Sequence, residues 1–132
     1  MTLSAGGSAI PPGNPATLLP GNPMRSVLLA LLIFEMVLFG LAIPVMVFVS
    51  DVSGSAAAAL GGSGILLALL SVALMRKPIG YLLGWATQAA GVAMGLVTPA
   101  MFAVGGMFAL LWVISFVLGK RLDAGSPPAA AR

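Results

Sequence analysis

Four long stretches of apolar residues occupy the middle of the chain, and short polar connections separate them. They cover residues 26–49, 56–75, 79–97 and 100–118. A helix that crosses a bilayer needs about 20 apolar residues at a rise of about 1.5 Å each. Lipid offers no partner for unpaired backbone groups, so a helix is the spanning structure that such a pattern favours. The pattern therefore predicts an all-α membrane protein with four transmembrane helices in one domain, residues 25–122.

The two ends of the chain have a different composition. Residues 1–24 hold five prolines and no charged residue, and the sequence Pro-Gly-Asn-Pro occurs at 12–15 and again at 20–23. Proline removes backbone donors, and Pro-Gly steps favour turns. Residues 123–132 consist mostly of Ala, Pro and Gly. Both ends, 1–24 and 123–132, are predicted to be disordered tails.

Basic residues mark the ends of the apolar stretches on one side only. One precedes the first helix, two join the second to the third, and two follow the fourth: Arg25, Arg76, Lys77, Lys120 and Arg121. The opposite connections hold Asp51 and neither Lys nor Arg. Cytoplasmic loops of membrane proteins carry an excess of Lys and Arg, so both termini are predicted to be cytoplasmic. These residues set the topology, and binding of anionic lipid headgroups is an alternative role for them.

Composition narrows the function classes further. Hydrophobic residues make up 60% of the chain and charged residues 7%, whereas a soluble domain carries about 25% charged residues. The chain has no Cys and no His, so we expect no metal site and no cofactor. The net charge of +3 comes from residues at the membrane boundaries, so no nucleic-acid partner is predicted. Neither a phosphate loop nor a nucleophile–base pair is present, which argues against an enzyme.

Glu35 is the main candidate for chemistry within the bilayer. It lies ten positions after Arg25, which places it near the midplane. Charged residues at a helix centre cost about 2.5–3.5 kcal/mol on insertion scales, so the group should be protonated or paired. Gln88, eleven positions after Lys77, is predicted at a similar depth and is the expected partner. The pair either holds two helices in register, or Glu35 exchanges protons or binds a cation, or Glu35 contacts another membrane subunit.

Small residues form stripes at helical spacing on the second and third helices. Gln88 shares its stripe with Gly80, Gly84, Gly91 and Gly95, and the other stripe contains Ala57, Gly61, Gly64, Ala68 and Ser71. Such faces let membrane helices approach closely, so these glycines are predicted to be packing positions, within one chain or between chains. Pro44 is predicted to kink the first helix because it removes a backbone donor.

Two local matches raise the alternative of two duplicated helical hairpins. The pattern Gly-Leu-x-x-Pro-x-Met occurs at 40–46 and at 95–101. A second pattern begins at Gly61-Gly62 and ends at Arg76-Lys77, and it recurs from Gly105-Gly106 to Lys120-Arg121. The other reading is that Gly- and Leu-rich helices resemble one another by chance.

The polar and aromatic landmarks resemble a known family. They are Met24-Arg25-Ser26, Glu35, Gly40-Leu41-Ala42-Ile43-Pro44, Arg76-Lys77-Pro78-Ile79-Gly80-Tyr81, Gly84-Trp85, Gln88, Pro99-Ala100-Met101-Phe102 and Leu111-Trp112. Over residues 24–123 the chain is similar to the actinobacterial family catalogued as domain of unknown function 4233. The resemblance implies four helices in a bacterial cytoplasmic membrane and a gene neighbour encoding folylpolyglutamate synthase. It implies no activity and no functional residue.

These features favour a non-enzymatic membrane protein, an accessory or interaction subunit that works with a membrane-protein partner or as a homo-oligomer. The alternative is an oligomeric small-solute or proton-coupled transporter that uses Glu35. An enzyme acting on lipid is a third reading, disfavoured by the absence of His and Cys. The lipid bilayer is the expected surrounding in every case.

Overall fold

The structure, a computed structural model, describes residues 16–125. Within this range the chain forms four α-helices: α1 (Pro23–Phe48), α2 (Gly54–Ala73), α3 (Pro78–Ala93) and α4 (Ala100–Gly125). A short 3-10 helix, Met94–Leu96, follows α3 directly. The predicted all-helical fold is confirmed.

Three of the helices have the length and composition of membrane spans. These are α1, α2 and α4, whose most apolar windows have mean hydropathies of 2.6, 2.0 and 2.3. The third helix has 16 residues and is shorter than the predicted segment 79–97, because the backbone tightens into the 3-10 helix at Met94. The structure therefore shows three helices able to cross a membrane, rather than the four that the hydrophobic pattern predicts.

The helices form a bundle in which each one runs antiparallel to the next. Helix α1 packs against α2 and α4, and α3 packs against the same two helices, so α1 and α3 lie on a diagonal. One core cluster joins Leu28 to Met75, Tyr81 and Phe116 at the end where α1 begins. A second cluster, towards the opposite end, includes Met46 of α1 together with residues from the start of α2, the start of α4 and the 3-10 helix. The connections are short, as in an up-down-up-down bundle.

The segment before α1 is folded against the end of α4. Leu18 is buried, and its side chain packs on Gly119. Asn22 Oδ1 accepts a hydrogen bond from the Met24 N–H, which caps α1. The Asn22 amide nitrogen donates to the Gly119 carbonyl and to Asp123 Oδ1, both at 2.6 Å.

These contacts correct the predicted tails. The prediction of disorder to residue 24 is wrong for residues 16–24, because Leu18 and Asn22 find partners on α4. The prediction that α4 ends at 118 and disorder begins at 123 is also wrong, since α4 continues to Gly125. Asp123 supports this extension by accepting hydrogen bonds from Asn22 and from the Leu19 N–H. The rest of the predicted tails, residues 1–15 and 126–132, lies outside the described residues.

The connection between α1 and α2 contains a left-handed residue. Asp51 has a φ of 54°, a conformation that Asp and Asn adopt more readily than bulky residues do. The chain then turns back, and the Val52 N–H donates to the Met46 carbonyl. Ser53 caps α2 by accepting a hydrogen bond from the Ala56 N–H.

The two copies of the first repeated sequence pattern have different local structures, whereas the two copies of the second pattern have similar surroundings. In the first pattern, Gly40 and Pro44 lie inside α1, whereas Gly95 lies in the 3-10 helix and Pro99 in a connection. In the second pattern, Gly61 and Gly105 both face close neighbours, and the glycine that follows each faces open space. The duplication stays a prediction.

Candidate functional site

Glu35 and Gln88 meet in the centre of the bundle. Glu35 lies halfway along the 26-residue α1, and Gln88 lies in the C-terminal half of α3. Gln88 Nε2 donates a hydrogen bond of 2.5 Å to Glu35 Oε2. Only 3% of Glu35 and 4% of Gln88 is exposed. The structure thus brings together the two polar residues that the sequence predicts at similar depth, and it does so across the diagonal of the bundle.

Two glycines bring the backbones of α3 and α4 together beside this pair. A Cβ on Gly105 would lie 2.5 Å from the Gly91 carbonyl oxygen, so the contact has no room for a side chain. A Cβ on Gly91 would lie 3.7 Å from Glu35 Oε1 and 3.8 Å from Phe39 Cζ. Gly91 therefore marks the place where the carboxylate, the Phe39 ring and α4 converge.

The pair leaves hydrogen-bonding capacity unused. Gln88 Oε1 is buried and has no hydrogen-bond partner in the described part of the chain. An amide oxygen accepts hydrogen bonds, and a carboxylate accepts through both oxygens when ionised or donates through one when protonated. A buried acceptor without a partner costs about 1–3 kcal/mol, so this position favours an added donor or a positive charge.

A groove lies between α2 and α3, and Phe39 of α1 is part of its lining. Its volume is about 210 Å³. It is lined by Phe39, Leu60, Ser63, Gly64, Leu67, Ala90, Ala93, Met94 and Val97. The Phe39 ring lies directly against the Gly64 backbone, and its Cζ atom lies near Gly91. Glu35 and Gln88 are not among the residues that line the groove.

Aromatic side chains fill the half of the bundle between the pair and the basic end. Trp112 of α4 is fully buried and packs on Gly84 of α3. The Trp85 ring makes an edge contact with Trp112 at a centroid distance of 6.2 Å and another with Phe116 at 5.5 Å. Tyr81 is buried in the core, edge-on to Phe116 at a centroid distance of 6.1 Å.

The remaining predicted glycines also lie at close contacts. Gly61 faces Ile43 and the Phe39 carbonyl, and Gly95 lies under the Phe102 ring. Gly80 faces the backbone at Leu74, and its carbonyl accepts a hydrogen bond of 2.7 Å from Ser71 Oγ. Five of the six predicted packing glycines therefore leave no room for a side chain, whereas a Cβ on Gly91 would make ordinary contacts.

The five basic residues lie at one end of the bundle, away from the polar pair. Arg76 and Lys77 are exposed in the connection between α2 and α3. Lys120 Nζ lies 5.9 Å from the centre of the Phe116 ring. Arg25 lies in the first turn of α1, and Arg121 lies in the last turns of α4.

Pro44 lies inside α1, which continues to Phe48, and the predicted kink there stays a prediction.

The sequence pattern did not indicate the roles of four residues: Phe39, Gly105 and Trp112 in the middle of the bundle, and Asn22 at its basic end. Phe39 and Trp112 are apolar residues in apolar helices, so the hydrophobic pattern does not distinguish them. The sequence does contain a signal for Gly105. It occupies the same position in the second repeated pattern as Gly61, which is one of the predicted packing glycines of the second helix. Asn22 shows another, because Asn before a Pro at the first helical position is typical of a helix N-terminus.

Comparison with known proteins identifies the family. The sequence model of a family described as "Protein of unknown function (DUF4233)" matches residues 25–126. No curated protein and no solved structure matches the chain. The match covers all four helices and includes both Glu35 and Gln88, and it confirms the resemblance seen in the sequence. The chain belongs to the DUF4233 family of proteins of unknown function.

Proposed function

We propose that this chain is a four-span membrane protein of a bacterial cytoplasmic membrane, with both termini in the cytoplasm, and that it acts without catalysis as an accessory subunit of a larger membrane partner. The support for a fourth crossing is geometric. Helix α3 is about 24 Å long, and the 3-10 helix adds about 6 Å. Together they approach the thickness of a hydrocarbon core, about 30 Å.

The orientation is supported by the distribution of charge over the bundle. The first residues of α1, the connection between α2 and α3 and the last turns of α4 lie at the same end. All five basic residues in the described range are at this end, and Asp51 is at the other. The positive-inside tendency assigns the basic end to the cytoplasm.

One observation carries the accessory role: the central polar groups of the bundle are turned towards each other. Glu35 bonds to Gln88, and buried aromatic rings lie on both sides of the pair, Phe39 towards one end and Trp112 towards the other. The interior is thus occupied by side chains that hold the helices together. The outward faces carry large exposed apolar residues on every helix, for example Phe34, Leu66, Leu82 and Leu110. Such faces suit lipid and the helices of another membrane protein.

The test is purification from native membranes in a mild detergent, with an affinity tag on the chain expressed at its natural level. The proposal predicts a larger membrane protein that co-purifies in a fixed ratio and survives a second size-separation step. A similarly tagged, unrelated four-span protein is the control for non-specific capture. Recovery of the chain as a monomer, without a partner in fixed ratio, contradicts the accessory role.

A second candidate is transport of a proton or a small cation through an oligomer of this chain. The observation that favours it is the buried Gln88 Oε1, which leaves an acceptor beside the carboxylate without a partner among residues 16–125. Recovery of a homo-oligomer, with proton or cation flux into proteoliposomes that is lost in Glu35→Gln, would replace the accessory role with this one. Flux that persists in Glu35→Gln argues against it.

A further inference from the structure

The helices around Glu35 bring no charged side chain to it within residues 16–125. Helix α2 contains no titratable residue, and α3 contains Tyr81 alone, seven residues before Gln88. Arg25, in the first turn of α1, is ten residues of helix from Glu35, or about 15 Å. The charged residues of α4 lie in its last turns: Lys120, Arg121 and Asp123. An ionised Glu35 is therefore a buried charge without a counter-ion.

The hydrogen bond between Glu35 and Gln88 uses half of the amide. Gln88 Nε2 donates to Glu35 Oε2 at 2.5 Å. Gln88 Oε1 is buried and accepts no hydrogen bond in the described part of the chain. This oxygen is bonded to the same carbon as Nε2, so an unused acceptor lies two covalent bonds from the nitrogen that contacts the carboxyl group. A donor on Glu35 is the group that would complete the pair.

A proton on Glu35 removes the buried charge and supplies this donor. The neutral acid avoids the cost of a buried carboxylate, and it carries an O–H donor that the carboxylate lacks. A carboxylic acid and an amide then match in both directions, N–H to carbonyl oxygen and O–H to amide oxygen. The last side-chain torsions of Glu and Gln are broad, so their rotation aligns the two groups at little cost.

We propose that Glu35 is a proton-binding site: the folded bundle keeps it protonated at neutral pH, and its O–H donates to Gln88 Oε1. Two reciprocal hydrogen bonds then join α1 to α3. Loss of the proton to water removes one bond and leaves a charge in the core, so the link between the two helices depends on pH. The proposal requires only the folded chain. It is independent of the accessory role, and either proposal can fail without the other.

Infrared spectroscopy of the full chain in lipid vesicles tests the proposal, because Glu35 is the sole Glu of the chain and Gln88 the sole Gln. Glutamate with carbon-13 at its side-chain carbonyl labels both groups, and subtraction of the unlabelled spectrum isolates their bands. We expect a protonated carboxyl band from Glu35 at pH 7. Glu35→Leu removes the O–H donor and should move the Gln88 carbonyl band to higher frequency.

The control is Thr87→Val, beside Gln88, because the Thr87 hydroxyl donates to the Leu83 carbonyl and not to the pair. It should leave both labelled bands in place. A carboxylate band from Glu35 at pH 7 overturns the proposal, and this spectrum requires no variant. A Gln88 carbonyl band that Glu35→Leu leaves unmoved overturns it as well, since the carbonyl then accepts nothing from Glu35.

The pH dependence of unfolding is a second, separate measurement. Unfolding exposes Glu35 and releases its proton, so rising pH favours the unfolded chain. Above about pH 5, where an exposed Glu is ionised, the unfolding constant of the wild type relative to Glu35→Gln should rise by up to about tenfold per pH unit, the limit for one proton. Glu35→Gln retains an uncharged group of the same size, and Asp51 and Asp123 affect both chains alike. A ratio that stays constant from about pH 5 to about pH 8 overturns the proposal.

Discussion

Gln88 Nε2 donates a hydrogen bond to Glu35 Oε2 across the diagonal of the bundle, and this bond joins α3 to α1. Helices α1 and α3 each pack against α2 and α4. A polar contact along the diagonal therefore fixes the relative depth of α1 and α3, which their apolar contacts with α2 and α4 define only indirectly.

Glu35 and Gln88 should contribute jointly to the free energy of unfolding of the bundle. Replacing Gln88 with Leu removes the donor and leaves the carboxyl unpaired, which should lower the free energy of unfolding by about 0.6–2 kcal/mol. Glu35→Leu should cost a similar amount, and the double variant less than the sum of the two, because neither partner is then left unpaired. Unfolding by SDS in mixed micelles measures all three variants. Strict additivity of the two single losses would show that the bond contributes nothing.

The contact between α3 and α4 should tolerate no side chain at Gly105. A Cβ there meets the Gly91 carbonyl, whereas a Cβ on the adjacent Gly106 meets nothing within 4 Å. We expect Gly105→Ala to destabilise the bundle by about 1–3 kcal/mol through overpacking. Gly106→Ala is the matched control and should be neutral or stabilising, because Ala favours helix over Gly. The same unfolding assay separates them, and equal effects of the two substitutions contradict the close contact.

The segment before α1 should act as a clamp between the two chain ends. Asn22 caps α1 and also binds Gly119 and Asp123 of α4. Asn22→Ala should cost about 0.5–2 kcal/mol through loss of the cap. Hydrogen exchange should then accelerate both in the first turn of α1 and in the last turns of α4. Gly21→Ala, at a position with nothing nearby, is the control. Faster exchange confined to α1 would show that the clamp does not support α4.

The sequence predicted the helices well because hydrophobic length is a direct physical requirement of a bilayer. The same reasoning placed Glu35 opposite Gln88, since both were counted from basic residues at one membrane face. The third helix was predicted too long, because an apolar pattern does not register the change to a 3-10 helix at Met94. Helix length follows from composition, whereas the pitch of its last turn depends on packing.

Contacts between distant residues account for what the sequence did not reveal. The tail prediction failed at Asn22 because its partners, Gly119 and Asp123, lie about a hundred residues away in sequence. The groove escaped prediction for the same reason, since it depends on Phe39 lying on Gly64. Apolar residues that face lipid and those that face the core are chemically alike in a membrane protein, so a hydrophobic pattern cannot separate them.

Labelling of single cysteines tests the central claim, that the chain crosses the membrane four times with both termini inside. The chain contains no Cys, so each introduced thiol is unique. Intact cells are treated with a membrane-impermeant maleimide. We expect Ser55→Cys and Pro99→Cys to be labelled, and Gly21→Cys and Ala124→Cys to be labelled only after permeabilisation. Protection of Pro99→Cys in intact cells, or labelling of Gly21→Cys and Ala124→Cys from opposite sides, would contradict the four-span architecture.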